Sequence, residues 1–266
     1  MVDARGVRTV TADSEPDLWW AIGGAGGFFG IVVEYCVRLF PVPPALPDAL
    51  AVVNLQTPPC DDVAAAIQAS IHAMTEGNPA IESSTVLCGG GPDLSPCLVL
   101  SATSFAPAST SDIEAALDAV HMRAPAAPLL WRREAVPYRT VMRSIDPTYE
   151  FPGVCCYGGV LNFTPDALPR AVLASLVTKF LARSSPRSVV LLAHGYPKTP
   201  LPCAVGFRGG FIVGVYALWS RTPGGAEADG DARHIAWADD VLDMVGALSC
   251  IVKSVEKNKL LLGGCW

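Results

Sequence analysis

Charge is scarce in this chain. Only 17% of its 266 residues are Asp, Glu, Lys or Arg, against roughly a quarter in an average soluble protein. The net charge is −6, and no cluster of Lys and Arg is available to meet phosphate, so nucleic acid is excluded as a partner. Histidine is scarcer still: His72, His121, His194 and His234 are the four, and no two of them stand at ligand spacing. The sequence has no Gly-x-Ser-x-Gly and no His-Glu-x-x-His, which excludes the serine-hydrolase and zinc-protease patterns. Nine Cys are present, yet none forms Cys-x-x-Cys or a metal-ligand spacing, and the count is odd. Reduced, buried thiols are the expectation. A long apolar run is also missing. A membrane span needs about 20 nearly uninterrupted apolar residues, whereas Gly210–Trp219 and Ile31–Phe40 are shorter and are broken by Gly, Glu34 or Arg38. Residues Met1 to Gly6 carry no apolar signal region, so a cytoplasmic location is expected.

What the chain does have is apolar content, at 51%, with 24 Gly and 23 Pro. That composition excludes intrinsic disorder and describes a globular chain rich in loops. Its length exceeds the roughly 100–200 residues of one domain. Ser14-Glu15-Pro16-Asp17 reads as a helix start, with Ser14 as N-cap, Pro16 in the first turn and an acid at the capping-box position. A short helix over Leu18–Ile22 then stops at the glycines of Gly23–Gly30. Ile31–Phe40 alternates, with Ile31, Val33, Tyr35, Val37 and Leu39 on one side, which predicts a half-buried strand. Pro41, Pro43, Pro44 and Pro47 make a stiff connector and the candidate domain boundary.

Beyond the connector a pattern recurs. Strands are predicted at Ala49–Gln56, Ile81–Cys88 and Cys97–Phe105, and helices at Asp61–Met74 and Ser111–Met122. After an irregular stretch from Arg123 to Pro152 the order returns. Val154–Phe163, Ser188–His194 and Phe211–Trp219 are the strands, and Pro165–Arg183 and Asp231–Leu248 the helices. Two β-α-β-β-α units imply a mixed, mainly antiparallel sheet with helices on one face, an α+β fold.

The glycines of Gly23–Gly30 do not form a Rossmann turn. That fingerprint follows a strand and opens a helix, whereas here the order is helix, glycines, strand, and a Walker Gly-Lys-Ser/Thr is absent. Five glycines in this turn allow positive φ and close approach of another group; a plain tight turn is the alternative. Asp17-Leu18-Trp19-Trp20-Ala21-Ile22-Gly23-Gly24-Ala25-Gly26-Gly27-Phe28-Phe29-Gly30-Ile31-Val32-Val33-Glu34, then Arg38-Leu39-Phe40-Pro41-Val42-Pro43, resembles the FAD-linked oxidases of the berberine-bridge-enzyme-like group, with their PCMH-type FAD-binding domain. Asp3-Ala4-Arg5-Gly6-Val7 looks like the hairpin that precedes this segment. Ala204–Trp219 and His234-Ile235-Ala236-Trp237 resemble parts of the family's substrate domain.

The resemblance implies a C-terminal remnant of the FAD-binding domain over residues 1–45, a substrate domain over 46–248 and a divergent tail over 249–266, a flavoprotein cut at both ends. It implies FAD as cofactor, held by the backbone of Gly26, Gly27, Phe29, Gly30 and Ile31. The family's flavin-linking His and Cys have no counterpart in this chain, so no covalent link is carried over. Gly23 stands where the family usually has Arg, and Phe28 where it usually has Asn, which removes a charged fork and an amide. In the family a small organic substrate loses a hydride to the flavin, O2 reoxidises it, and the protein orients the substrate and moves protons.

Tyr157 and Tyr216, both on predicted substrate-domain strands, are the candidate bases. A phenol, ordinarily near a pKa of about 10, needs a neighbour to serve in that role, and an interior aromatic is the alternative for each. Arg208 and Trp219 are the candidate substrate contacts. Two readings stand: an FAD-dependent oxidoreductase, or a flavin-free, non-catalytic interaction domain that forms a homodimer through the surface a flavin domain would cover.

Overall fold

The computed structural model describes residues 1–4, 6–25, 29–37, 39, 41, 43–77, 81–105, 111–149, 154–164, 166–196, 210–220 and 228–247. The chain divides into two compact units, Met1–Pro41 with Tyr196–Gly209, and Val42–Gly195 with Gly210–Trp266. No described helix is long and apolar enough to cross a membrane.

The first unit holds a small hairpin of β1 (Val2–Asp3) and β2 (Gly6–Val7) and the helix α1 (Pro16–Ala25). Pro16 takes the first helical position, where its missing N–H costs nothing. Glu15 therefore stands at the cap, one place beyond the expected Ser14, whose hydroxyl instead bonds Thr11. The helix also continues through Gly23 and Gly24 to Ala25, since glycine disfavours a helix interior by about 1 kcal/mol without forbidding it. Arg8 ties hairpin to helix, reaching Asp3 at 2.5 Å and Glu15 at 2.6 Å.

The predicted strand at Ile31–Phe40 is corrected. Among its described residues only Ile31 pairs, through an isolated bridge to Val2. Ile31, Val33, Tyr35, Val37 and Leu39 are 63–87% exposed. Alternation supplies the propensity for a strand, but a ladder needs a neighbour whose N–H and C=O groups complete it. Gly30 has φ +148°, and a Cβ there would lie 2.6 Å from Met1 Cε and from Val2 O, so glycine is required where this segment passes the hairpin.

The second unit is one seven-stranded sheet under a layer of helices. Its elements are β3 (Leu46–Asn54), α2 (Cys60–Glu76), β4 (Ile81–Gly90), β5 (Ser95–Ser104), α3 (Ser111–Met122), β6 (Leu130–Val136), α4 (Tyr138–Tyr149), β7 (Val154–Phe163), α5 (Arg170–Leu181), β8 (Val189–Tyr196), β9 (Gly210–Ser220) and α6 (Ala228–Gly246). The strand order is β6-β3-β5-β4-β8-β9-β7, and β3–β5, β3–β6, β4–β5, β4–β8 and β7–β9 are antiparallel. The expected repeat is visible in this order, because β3-β5-β4 and β8-β9-β7 mirror each other about the middle of the sheet.

The stretch Arg123–Pro152, expected to be irregular, contains β6 and α4. Strand β6 docks on the outer side of β3, with Pro47 opposite Ala135. That partner draws β3 back to Leu46, so Pro47 belongs to a strand and not to the connector.

Pleat and helix period together build the core. On each strand alternate residues point one way: Ala49, Ala51 and Val53 on β3, Leu98 and Leu100 on β5, Val190 and Leu192 on β8, and Phe211, Val213 and Val215 on β9 are all buried. They meet Val63, Ile67 and Ile71 of α2, Ile113 and Leu117 of α3, Leu173, Leu176 and Phe180 of α5, and Val241 and Val245 of α6. These spacings of three and four keep one helix face inward. Each such buried side chain stabilises the fold by about 1.5–3 kcal/mol, whereas half-exposed pairs such as Arg133 with Glu114 and Asp118 contribute about 0–1 kcal/mol. Burial, not charge, holds the helices to the sheet.

Under α6, Trp219 and His234 stack with ring centroids 4.8 Å apart. The Trp219 indole donates to Asp231 at 2.7 Å. Arg233 faces His234 Nε2 and donates to it, leaving the Nδ1–H for Ser184 Oγ at 2.8 Å. An imidazole that donates to serine cannot also act as its base, so this Ser–His pair is no nucleophile. Burial first, and then the Arg233 guanidinium, hold the His234 pKa below the ordinary imidazole value, while Asp231 acts the other way.

Two expectations follow. At Gly158 a Cβ would collide with the backbone of Val215 and Tyr216, so the strands approach too closely there for any side chain. Gly158→Ala lowers unfolding stability by about 1–3 kcal/mol, read as a lower denaturant midpoint; an unchanged midpoint refutes the close approach. For His234 the folded pKa lies below the unfolded one. Its stabilising contribution is therefore complete above about pH 6.5 and is lost as pH falls from there through the folded pKa. The denaturant midpoint of the wild-type chain drops between about pH 7.5 and 5.5, and His234→Gln flattens that drop; an equal drop in the variant overturns the assignment.

Candidate functional site

With one face of the sheet sealed by helices, the other face of the second unit is where its strands can meet a ligand. Residues directly opposite in an antiparallel pair share a face, so the register assigns each side chain. Tyr157 lies opposite Ala217 and Gly158 opposite Tyr216. The two candidate tyrosines therefore point in opposite directions.

Tyr157 points under the helices. It is 3% exposed, and its hydroxyl donates to Asp239 of α6 at 2.9 Å. That is a core aromatic with a satisfied phenol, and no substrate reaches it without unseating α6. Trp219 lies on the same sealed face, stacked on His234, and so does not line the open one. Both assignments are corrected for one reason: residues two apart on a strand share a face, and 157 and 219 fall in line with the core set.

Tyr216 is on the open face. A Cβ at Gly214 would lie 2.9 Å from its Cε2 and 3.3 Å from its Oη, so the ring lies back over the bare backbone of Gly214, its neighbour two residues along β9. Gly158 opposite removes a second side chain. Around this notch the open face carries Leu191 and Ala193 of β8, Ile212 and Leu218 of β9, and Cys156, Val160 and Asn162 of β7. None is charged. Burial, with Cys155 adding, pushes the Cys156 thiol above its ordinary value, so it stays protonated at neutral pH.

The other end of the open face is ionic. Asp48 of β3, 6% exposed, accepts from Thr103 Oγ1 at 2.7 Å and from Arg132 at 2.8 Å, and Glu134 lies 3.2 Å from Arg132. Sequence reasoning missed this group because it placed Asp48 in the connector and left β6 unrecognised. Its signal was a lone acid next to an alternating apolar run. Between the two ends, Cys88 and Cys97 stand opposite each other on β4 and β5. Burial pushes the Cys88 thiol up to about 11 and raises Cys97 as well, which keeps both from acting as nucleophiles near neutral pH.

In the first unit, Ile31 has both its N–H and its C=O bonded to Val2, each at 2.8 Å. Its backbone is committed to the fold. Gly30 lies against Met1, Val2 and Asp3, and Phe29 is exposed. Gly26, Gly27 and Arg208 lie outside the described residues, as does the expected tail over 249–266. Among the described residues no group of three or more His, Cys, Asp and Glu could hold a metal ion.

No protein-family model matches the sequence, and no curated protein matches it. Solved structures do match in fold. A berberine-bridge-enzyme-like protein, number 28 of Arabidopsis thaliana, aligns with a TM-score of 0.72 at 14% identity, over 97% of this chain and 54% of its own. A berberine bridge enzyme variant described as a reticuline dehydrogenase gives 0.72 at 15% identity, over 96% and 51%. The 6-hydroxy-D-nicotine oxidase of Arthrobacter nicotinovorans gives 0.64 at 20% identity, over 90% and 51%. This chain thus spans about half the length of the structures it resembles, and across that half it has the fold of the berberine-bridge-enzyme-like oxidoreductases.

Proposed function

We propose that this chain carries the substrate-binding part of an FAD-dependent oxidoreductase that oxidises a small organic molecule. The observation that carries this reading is the open sheet face around Tyr216, a phenol in an uncharged notch, in a fold shared with oxidoreductases.

The residues present suit the ring end of a flavin reaction, which needs a surface free of fixed charge and one group able to handle a proton. Bound FAD supplies the hydride acceptor, which O2 regenerates. The chain itself binds and orients. Gly214 leaves room for the far end of the Tyr216 side chain, and Gly158 opposite adds no side chain beside it. The apolar side chains flanking them exclude water, and Tyr216 Oη hydrogen-bonds the substrate's hydroxyl or amine and, in its phenolate form, takes the proton released there. In the first unit the backbone of Gly26, Gly27, Phe29 and Gly30 supplies cofactor contacts. Ile31 is left out because its amide is taken. Arg208 anchors an anionic group of the substrate or cofactor.

The first experiment is the visible absorption spectrum of purified protein after incubation with excess FAD and gel filtration. Retained flavin absorbance supports the reading and makes Tyr216→Phe the next variant, expected to lower turnover by about 10²-fold or more with little change in flavin retention. A colourless, folded protein overturns catalysis by this chain. The exposed stripe of Ile31, Val33, Tyr35, Val37 and Leu39 favours the second reading in that event, a flavin-free interaction domain. It then sediments as a dimer, and replacing Val33 and Tyr35 with Ser returns it to a monomer.

A further inference from the structure

Strand β6 is the last strand on its side of the seven-stranded sheet, and the direction of its backbone groups follows from its neighbours. Leu55 N–H donates to Pro96 O, and Leu129 N–H donates to Val52 O. Backbone groups turn to alternate sides along a strand, so the odd residues of β3 bond β5 and the even ones bond β6. The partners of those even residues are Leu130, Arg132, Glu134 and Val136, and they spend their N–H and C=O groups on β3. The backbone groups of Trp131, Arg133 and Ala135 point the other way, where no strand lies among the described residues.

An open edge is commonly guarded by Pro, by a bulge or by a charge that reaches past it. On β6 the charges are turned aside. Arg133 pairs with Glu114 and Asp118 of α3, and Arg132 with Asp48 and Glu134. Trp131 leans onto His121 of α3, with ring centroids 4.9 Å apart. Beside the bare backbone stand apolar side chains. Leu129, Leu130 and Trp131 are 67%, 49% and 37% exposed, and Ala135 is exposed as well.

We propose that β6 pairs with β6 of a second copy of this chain, antiparallel about a two-fold axis at Arg133, so that two sheets join edge to edge. The strand's complementarity to itself argues for this occupant. A two-fold axis in an antiparallel pair sets one residue opposite its own copy, and an axis at Arg133 overlaps the whole of β6. Arg132 then stands opposite Glu134 of the second copy on both sides of the axis. The large Trp131 stands opposite the small Ala135, and Leu130 opposite Val136. The outward groups of 131, 133 and 135 meet those of 135, 133 and 131, which closes about six hydrogen bonds. Arg133 faces Arg133, a repulsion that the Glu114 and Asp118 carboxylates of each copy offset. Moving the axis by one residue in either direction loses both Arg132–Glu134 contacts.

Such an interface is one strand pair with a few flanking side chains, at the small end of specific interfaces. It therefore gives a dimer in the micromolar range. The surface differs from the stripe at Ile31–Leu39, and the inference does not rest on the oxidoreductase proposal.

The test combines sedimentation velocity of the full chain, in the presence of a thiol reductant, with amide hydrogen exchange resolved to single residues. The chain is expected as a monomer at about 1 µM and a dimer at about 100 µM. The amides of Trp131, Arg133 and Ala135 are slowed only at the higher concentration, whereas those of Arg132 and Glu134 are slow at both. Ala135→Pro removes an outward N–H without touching the β3 ladder, and raises the dimer Kd about tenfold or more with an unchanged circular dichroism spectrum. If that variant is unfolded, Glu134→Lys sets a lysine opposite Arg132 and raises the Kd about fivefold or more, most strongly at low salt. A monomer at about 100 µM overturns the inference, as does a dimer whose Trp131, Arg133 and Ala135 amides exchange equally fast at both concentrations. A dimer that is dissociated by replacing Val33 and Tyr35 with Ser, and is indifferent to Ala135→Pro and Glu134→Lys, belongs to the stripe and overturns it too.

Discussion

Everything in the second unit depends on sealing one face of a seven-stranded sheet under helices. Because side chains alternate along a strand, a slip of one residue in any strand reverses its faces. On β9 such a slip would expose Phe211, Val213, Val215 and Ala217, all nearly inaccessible in the folded chain, and push Tyr216 beneath α6. At about 1.5–3 kcal/mol for each larger side chain, no surface ion pair competes with that loss. The outward direction of Tyr216 is therefore fixed by core residues that take no part in any chemistry. The same rule sends Tyr157 inward to Asp239.

The mirrored strand order places two copies of one motif back to back, yet the open face is not symmetric. The difference comes from the segment between the copies. It contributes β6, which docks beside β3 and brings Arg132 and Glu134 to the buried Asp48. At the opposite edge β7 has, among the described residues, β9 as its one neighbour and carries glycines where the strands come closest. Insertion at one end produced an ionic corner, and close strand approach at the other produced a bare, uncharged notch.

Much of this was legible in the residues. Ser111–Met122 and Val154–Phe163 have the predicted limits, and the other repeat strands differ by a few residues at their ends. Apolar periods of two and of three to four are strong where one face is buried. The misses have local causes. Leu130–Val136 carries Arg132, Arg133 and Glu134 in a row, which hides its alternation, and it is a strand only because β3 offers an edge. Ile31–Leu39 has the alternation without the neighbour. The two tyrosines looked alike because each sits inside a predicted strand, and neither strand's inward face was assigned.

The sequence by itself determined the α+β class, the doubled motif, the absence of hydrolase and metal patterns, and the resemblance to flavin-linked oxidases carried by the run from Asp17 to Pro43. These are properties of composition, order and short-range period, which the chain holds before it folds. Only the tertiary structure decided which tyrosine is available, that Trp219 belongs to the α6 interface, that Ile31 spends its amide on Val2, and that Asp48 and Arg132 meet. Each of those depends on cross-strand register or on helix docking, in which residues far apart in sequence are brought opposite each other by the burial of others.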